Sequence, residues 1–350
     1  MNALKCNLWL VWTSLLLSYG FSVFSQKEYT AESYMISMSN EYRRTSESFL
    51  SYSSAMAHSN SARKVERKRS DLISSVAQAK INISQMPCFK DDCSLRDSLV
   101  AFLNIAYYVL TDDYSRILNM EEIAEQSYDL MEAYMLAREK ADEKMNQAGI
   151  RLEKTQTEFA SRHHVALSDE KDKLSLKIEQ VNQVSDHYTS VYLIFFKNYK
   201  QELYMLDALE RKDLSSVEQN RNALIQTVTE GLAKLDTLKA FRNDKSLIYS
   251  CKRTLTFYNT EATAKMPVII EFMMKNENFE KIKKAFDAKS NMEKTQTDVD
   301  NYNKAVDELN KSGRSYDVTQ QYINQYRKSN IENWNTVSHN YLEKYIPKSN

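Results

Sequence analysis

The residues that could do chemistry are few and scattered. Five histidines, His58, His163, His164, His187 and His339, could carry protons or hold a metal. A di-iron helical bundle needs Glu-x-x-His on two helices. Here the residues three before the histidines are Ala55, Ala160, Ser161, Val184 and Thr336. His-Glu-x-x-His is absent as well. The adjacent pair His163-His164 would point to two faces of a helix, which suits a solvated helix end and makes a poor chelate. Paired acids stand at Asp91-Asp92, Asp112-Asp113 and Glu121-Glu122, near expected helix ends. In a first helical turn such acids serve the helix dipole. There is no Gly-x-Ser-x-Gly elbow, and no cysteine–histidine pairing stands out. The residues therefore predict no catalytic group, no cofactor and no metal.

Cys88 and Cys93 are the one close cysteine pair. In an exported chain they would close a small disulfide loop; two free thiols is the other reading. No second ligand pair lies near enough for zinc. Cys251 falls on an apolar helical face with Leu247, Leu255 and Tyr258, as a small core residue would.

The elements that must position these residues are helices. The 350 residues hold 4 Gly and 3 Pro, far below ordinary usage of about 7% and 5%. Tight turns use both residues, so long helices and few turns follow. A phosphate-cradling loop needs clustered glycines, and Gly149, Gly231 and Gly313 are far apart. Lys+Arg and Asp+Glu are both 47, which leaves no basic footprint for nucleic acid.

Apolar residues recur with helical period. Val65, Leu72, Val76, Ala79, Ile83 and Met86 form an a/d seam, and Val217, Leu224, Val228, Gly231, Leu235 and Leu238 form another. The two segments align with ten identities in 31 ungapped positions, Val65 on Val217 through Leu95 on Leu247. Glu153-Lys154-Thr155-Gln156-Thr157 recurs as Glu293 to Thr297 at a different offset. We read a tandem duplication of a four-helix unit, with chance likeness between amphipathic helices as the competing account. Capping signals at Ser94/Asp97, Asn119/Glu122, Ser168-Asp169-Glu170 and Ser215/Glu218 place helix starts. The expected helices are 28–59, 63–86, 94–112, 119–166, 168–210, 214–239, 246–264, 267–311 and 315–345. The fold class is all-α: elongated antiparallel bundles over 26–167 and 168–350, coupled by the long helix near 168–210.

At the N-terminus, Lys5 precedes an uncharged run from Leu8 to Phe24, and Val23 and Ser25 suit a signal peptidase site. Residues 1–25 read as a signal peptide with Gln26 opening the mature chain; a retained anchor is the alternative. No later segment reads as membrane-spanning. Tyr188, Tyr192, Phe195 and Tyr199 share a helix face, and Trp334 and Tyr341 lie near the C-terminus. Such a stripe is core, or else a surface for a partner helix or glycan; Tyr188, Tyr192, Tyr199, Trp334 and Tyr341 are the candidate interaction residues.

With this signal segment, a Tyr/Lys/Asn-rich body and the ending Trp334-Asn335 to Tyr341-Leu342-Glu343-Lys344-Tyr345-Ile346-Pro347-Lys348, the chain resembles exported helical surface proteins of Bacteroidota and spirochaetes. That resemblance implies an envelope location (periplasm, outer surface or beyond) and no particular chemistry. The expectation is a non-enzymatic interaction or structural protein, with a protein partner or self-association and no nucleic acid. The alternatives are a carrier with an inter-helix pocket and an enzyme.

Overall fold

The computed structural model describes residues 29–59, 61–113, 128–167 and 172–349, without the side chains of 62, 112, 113, 128–136, 138, 139 and 142. The signal segment, Gln26, the helix starts at Asn119/Glu122 and Ser168 to Glu170, and the Glu121-Glu122 pair lie outside the described residues. So do the side chains of Asp112 and Asp113.

The elements are α1 (Ala31–His58), α2 (Ala62–Ser84), α3 (Ser94–Tyr108), a π-helical turn (Val109–Asp113), α4 (Tyr128–Arg162), α5 (Lys173–Glu210), α6 (Leu214–Thr237), α7 (Ser246–Thr260), a second π-turn (Glu261–Lys265), α8 (Met266–Asp287) and α9 (Gln296–Tyr345). No strand occurs among the described residues, so the all-α class holds. Neither does any described helix have the length and apolarity to cross a membrane. Both seams face inward. Leu72, Val76, Ala79 and Ile83 centre one core with Leu99, Leu103 and Phe159. Val217, Leu224, Val228 and Leu235 centre the other with Leu247, Cys251 and Leu255. The second core also takes Leu50 and Ala57 from the end of α1, so the halves are joined by more than one helix.

The two halves share local geometry at matching positions. Phe89 and Asp92 form a one-bridge antiparallel turn, and Phe241 and Asp244 repeat it 152 positions later. Both turns place two residues at positive φ: Lys90 and Asp91 at 46° and 65°, Arg242 and Asn243 at 48° and 66°. Asp92 Oδ1 accepts the Ser94 N–H at 2.9 Å, and Asp244 Oδ1 accepts that of Ser246 at 2.8 Å. Arg69 donates to the Leu110 carbonyl and Arg221 to that of Ala262. The π-turns start at Val109 and Glu261, again 152 apart. The first helices keep nearly the same step: Tyr34 Oη donates to the Pro87 carbonyl, and His187 Nε2 meets the Lys239 carbonyl.

Register then jumps. Asp92 is held by Arg162 and His163, whereas Asp244 is held by Lys344 and Tyr345, 182 positions later. The second half thus carries 30 more residues between its π-turn and the end of its last helix. The matching Glu153–Thr157 and Glu293–Thr297 segments are therefore not counterparts. The first lies inside α4, the second spans a turn and the cap of α9.

Two expected boundaries also move. A helix over 267–311 is broken at 288–295, without Gly or Pro. Glu293 accepts from Ser290, and Thr295 with Asp298 forms a capping box that restarts the helix. No break follows near 312–314, where α9 runs on through Gly313. The helix expected at Ser215 is capped instead by Asp213, which accepts from Ser216 N at 3.1 Å.

Candidate functional site

The densest chemistry lies inside the second core, at a layer made by α5, α7 and α9. Glu202 on α5 and Glu261 at the start of the second π-turn are both fully buried. Arg327 on α9 reaches between them, Nε to Glu202 Oε1 and Nη2 to Glu261 Oε1, each at 2.5 Å. The other oxygen of each acid, Oε2, is buried without a hydrogen-bond donor, as is the Tyr258 hydroxyl. One cation thus faces two acids.

Burial and the charge of Glu202 push Glu261 well above the usual carboxylate range, against the pull of Arg327. The protonated Glu261 carboxyl is then a donor for Glu202, and the layer is neutral overall. The Tyr258 phenol is raised by burial and by the same two acids. Glu261 opens the second π-turn, and π-bulges are frequent at functional sites.

The first half has apolar residues at the matching positions. At the 152-residue offset, Glu261 and Tyr258 correspond to Val109 and Ala106. By the registers of the flanking helices, Glu202 corresponds to Phe49 and Arg327 to Met145. All four counterparts are apolar, so the bundle does not need the charges in order to pack. Sequence reasoning missed the layer, because Glu202, Glu261 and Arg327 are each ordinary members of a polar helix and are 59 and 66 positions apart. The signal was available in the 152-residue offset: charges at positions where the other half is apolar.

The histidines divide by surroundings. His163 Nε2 lies 2.9 Å from Asp92 Oδ2 and its ring packs on Phe159 and Phe89. It is a bonded, largely covered residue, which corrects the expectation of a solvated end. Burial opposes ionisation of Asp92, but hydrogen bonds from Ser94 and His163 and the charge of Arg162 hold it well below its ordinary value. Asp244 is lowered likewise by Ser246, Lys344 and Tyr345. His187 bridges the Lys239 carbonyl at 3.1 Å and Tyr341 Oη at 2.9 Å. Nε2 donates to the carbonyl, and in the neutral ring Nδ1 accepts from the phenol. Burial lowers its pKa to match. No group of three or more His, Cys, Asp or Glu that could hold a metal occurs among the described residues.

Cys88 and Cys93 are joined as a disulfide, Cα atoms 4.5 Å apart, across the first turn. The corresponding Ala240 and Lys245 cannot form one. Cys251 is buried and free.

The aromatic candidates for a surface are interior or half-interior. Trp334 and Tyr341 are 3% and 2% exposed. Trp334 stacks on Phe195 at 4.1 Å between ring centres. Tyr188, Tyr192 and Tyr199 are half-buried against the same core. The last helix of a bundle must supply its closing side chains, and this one does so with aromatics; Trp334 and Tyr341 are not an interaction surface. An open crevice of about 540 Å³ remains beside α1, edged by Tyr29, Phe89, Lys90, Arg162 and His164.

Searches against family models, curated proteins and solved structures found no match.

Proposed function

We propose that this chain is an exported, non-enzymatic interaction protein of the cell envelope, built by duplication of one four-helix unit. The observation that carries the interaction reading is the unequal length of the two halves. The second half spends 30 extra residues on a helical hairpin, α8 with the first part of α9, which meets little but itself. A chain that needed only a packed core would leave such an arm out. Side chains of exposed Met274, Met292 and Val318 lie along it or at its tip, and exposed apolar groups on a projecting element suit contact with another protein. The duplication reading is supported by the shared turns, the carbonyl contacts of Arg69 and Arg221 and the π-turns, all in one register. Export is supported by the apolar N-terminal run and fits the disulfide.

A carrier is the second reading, favoured by the crevice beside α1, whose Lys90, Arg162 and His164 would suit an anion.

Native mass spectrometry of the chain isolated from its own envelope tests the first against the second. The interaction reading expects a protein complex, with itself or with another chain, and no retained small molecule. A monomer carrying a small bound mass would favour the carrier.

A further inference from the structure

The crevice beside α1 has a filled counterpart in the other half. There Arg242, which matches Lys90, donates from Nη2 to Gln180 Oε1 at 3.3 Å, and Gln180 Nε2 donates to the Tyr345 carbonyl at 2.6 Å. Their chain neighbours Val181 and Ile346 are buried in the second core. Gln180 and Val181 come from the early turns of α5. By the register of Tyr34 on His187, Ala31 matches Val184, so α5 starts 11 residues ahead of the point at which α1 begins. In the first half the place is an open crevice of about 540 Å³. By the register of Asp92 on Asp244, His164 stands where Ile346 is buried, and His164 is exposed.

The edge of this crevice is cationic. Lys90, Arg162, His163 and His164 border it, and no acid does. Asp92, which Arg162 and His163 hold, also accepts from Ser94 N and is spent within the turn. Arg162 reaches Asp92 and Ser94 through Nε and Nη2, which leaves Nη1 for another acceptor. Lys90 lies over the Phe89 ring and, like His164, has no acidic partner among the described residues. Thr30 and Ala31 bring the start of α1 to the same space, where first-turn N–H groups favour negative charge; Glu32 is the opposing charge of that turn.

Three cationic side chains from the turn and the end of α4 offer more donors than the two oxygens of a carboxylate can take. A phosphate monoester presents three acceptor oxygens and nearly two charges at neutral pH, and an arginine fork suits it. The volume lies within the range of small-molecule pockets, about 300–1,000 Å³, and Tyr29 and Phe89 give it an aromatic side. We infer that the crevice binds a small organic phosphate monoester, its oxyanion between Lys90, Arg162 and His164 and its organic part along Tyr29 and Phe89. This inference rests on the carrier reading and names its ligand class; the interaction reading does not depend on it.

The test is calorimetric titration of the full mature chain, kept free of phosphate and sulfate, with phenyl phosphate, inorganic phosphate and benzoate at constant ionic strength. Phenyl phosphate should saturate a single site with Kd below about 1 mM, about tenfold more tightly than either of the others. Lys90→Gln and His164→Asn should each weaken it about fivefold, as loss of one charge-assisted hydrogen bond does, with helicity unchanged by circular dichroism. Asn is chosen because His164 is at positive φ. Arg242→Gln removes the same charge from the matching turn and should leave binding as it was. Vesicles of phosphatidylcholine with phosphatidic acid separate two sources of the same ester. Competition with phenyl phosphate would place the ester on a lipid, and none would place it on a soluble molecule.

Benzoate bound as tightly as phenyl phosphate, or an equal loss in Arg242→Gln and Lys90→Gln, would overturn the inference. So would the lack of any saturable binding of the ester. In that last case a different small mass retained from the envelope leaves the carrier reading standing, whereas a chain that retains none removes both.

Discussion

Glu261 shows how burial turns an ordinary residue into a conditional one. Its folded-state pKa is raised, so the folded chain keeps a proton that the unfolded chain releases above the ordinary glutamate range. By linkage, its contribution is fully present below that range and declines as pH rises through neutral. Glu261→Gln keeps the donor and discards the titration. Urea unfolding at pH 5, 7 and 8 should show the wild type losing stability relative to Glu261→Gln as pH rises; parallel curves would refute the shared-proton account. Arg327→Met, which installs the first half's residue, strands two buried acids and should cost about 3–5 kcal/mol. Adding Glu202→Leu and Glu261→Val should recover most of that loss. His187 has the opposite sign. Its pKa is lowered by burial, so the unfolded chain binds the proton first, and stability falls as pH drops through about 6.5. Protonation would also remove the acceptor for Tyr341. His187→Tyr, which copies Tyr34 of the other half, should erase that acid-side slope, as measured by thermal unfolding between pH 7 and 5.

At the scale of elements, helix contact depends on small details that composition only hints at. Gly231 lies where α5, α6 and α7 converge, and a Cβ there would sit 2.8 Å from Leu255 Cδ2 and 3.0 Å from Asn198 Nδ2 and Ile194 Cγ2. Leu255 and Asn198 are themselves buried and have little room to yield. Gly231→Ala gains about 1 kcal/mol of helix propensity and loses about 1–3 to overpacking, so denaturant unfolding should show a net loss of about 1 kcal/mol. The seams and the core role of Cys251 were legible in the sequence, because apolar spacing of three and four residues states them directly. The tip at 288–295 was not, since Ser290, Glu293, Thr295 and Asp298 stop and restart a helix without any residue that forbids one. Scarcity of Gly misled in a related way. Chain reversals here place Lys90, Asp91, His164, Lys212, Arg242 and Asn243 at positive φ, where glycine is usual. The first of these turns adds the Cys88–Cys93 bond, and the second keeps the same geometry without one. Replacing both cysteines by Ser should therefore preserve helicity while costing about 2 kcal/mol for so short a loop; a loss of helicity on replacement would contradict that.

At the scale of the whole molecule, the two cores are tied by the last residues of the chain. Gln180 Nε2 donates to the Tyr345 carbonyl, His58 Nε2 meets that of Ile346 at 2.9 Å, and Ser349 N donates to Ser54 Oγ. Ile346 is buried in the second core, which also holds Leu50 and Ala57 of α1. The end of α1 therefore belongs to the second bundle by packing and to the first by sequence. That overlap was hidden in the sequence, because a boundary near 167 follows from helix order alone, whereas the clasp joins residues 288 and 295 positions apart. A clasp of two hydrogen bonds to α1 and one apolar side chain is small against a bundle core, so its removal should loosen the joint and leave each half folded. Ending the chain at Tyr345 should raise amide exchange at the C-terminal turns of α1, around Ser54 to His58, and leave Leu224 to Leu235 in α6 as protected as before. Exchange rising through α6 as well would mean that the tail holds the second core together, and no change at α1 would mean that the halves are joined through Leu50 and Ala57 without it. In the first outcome the two halves are separate cooperative units, coupled at a joint set by the last few residues, and the angle at which the arm is presented depends on that joint.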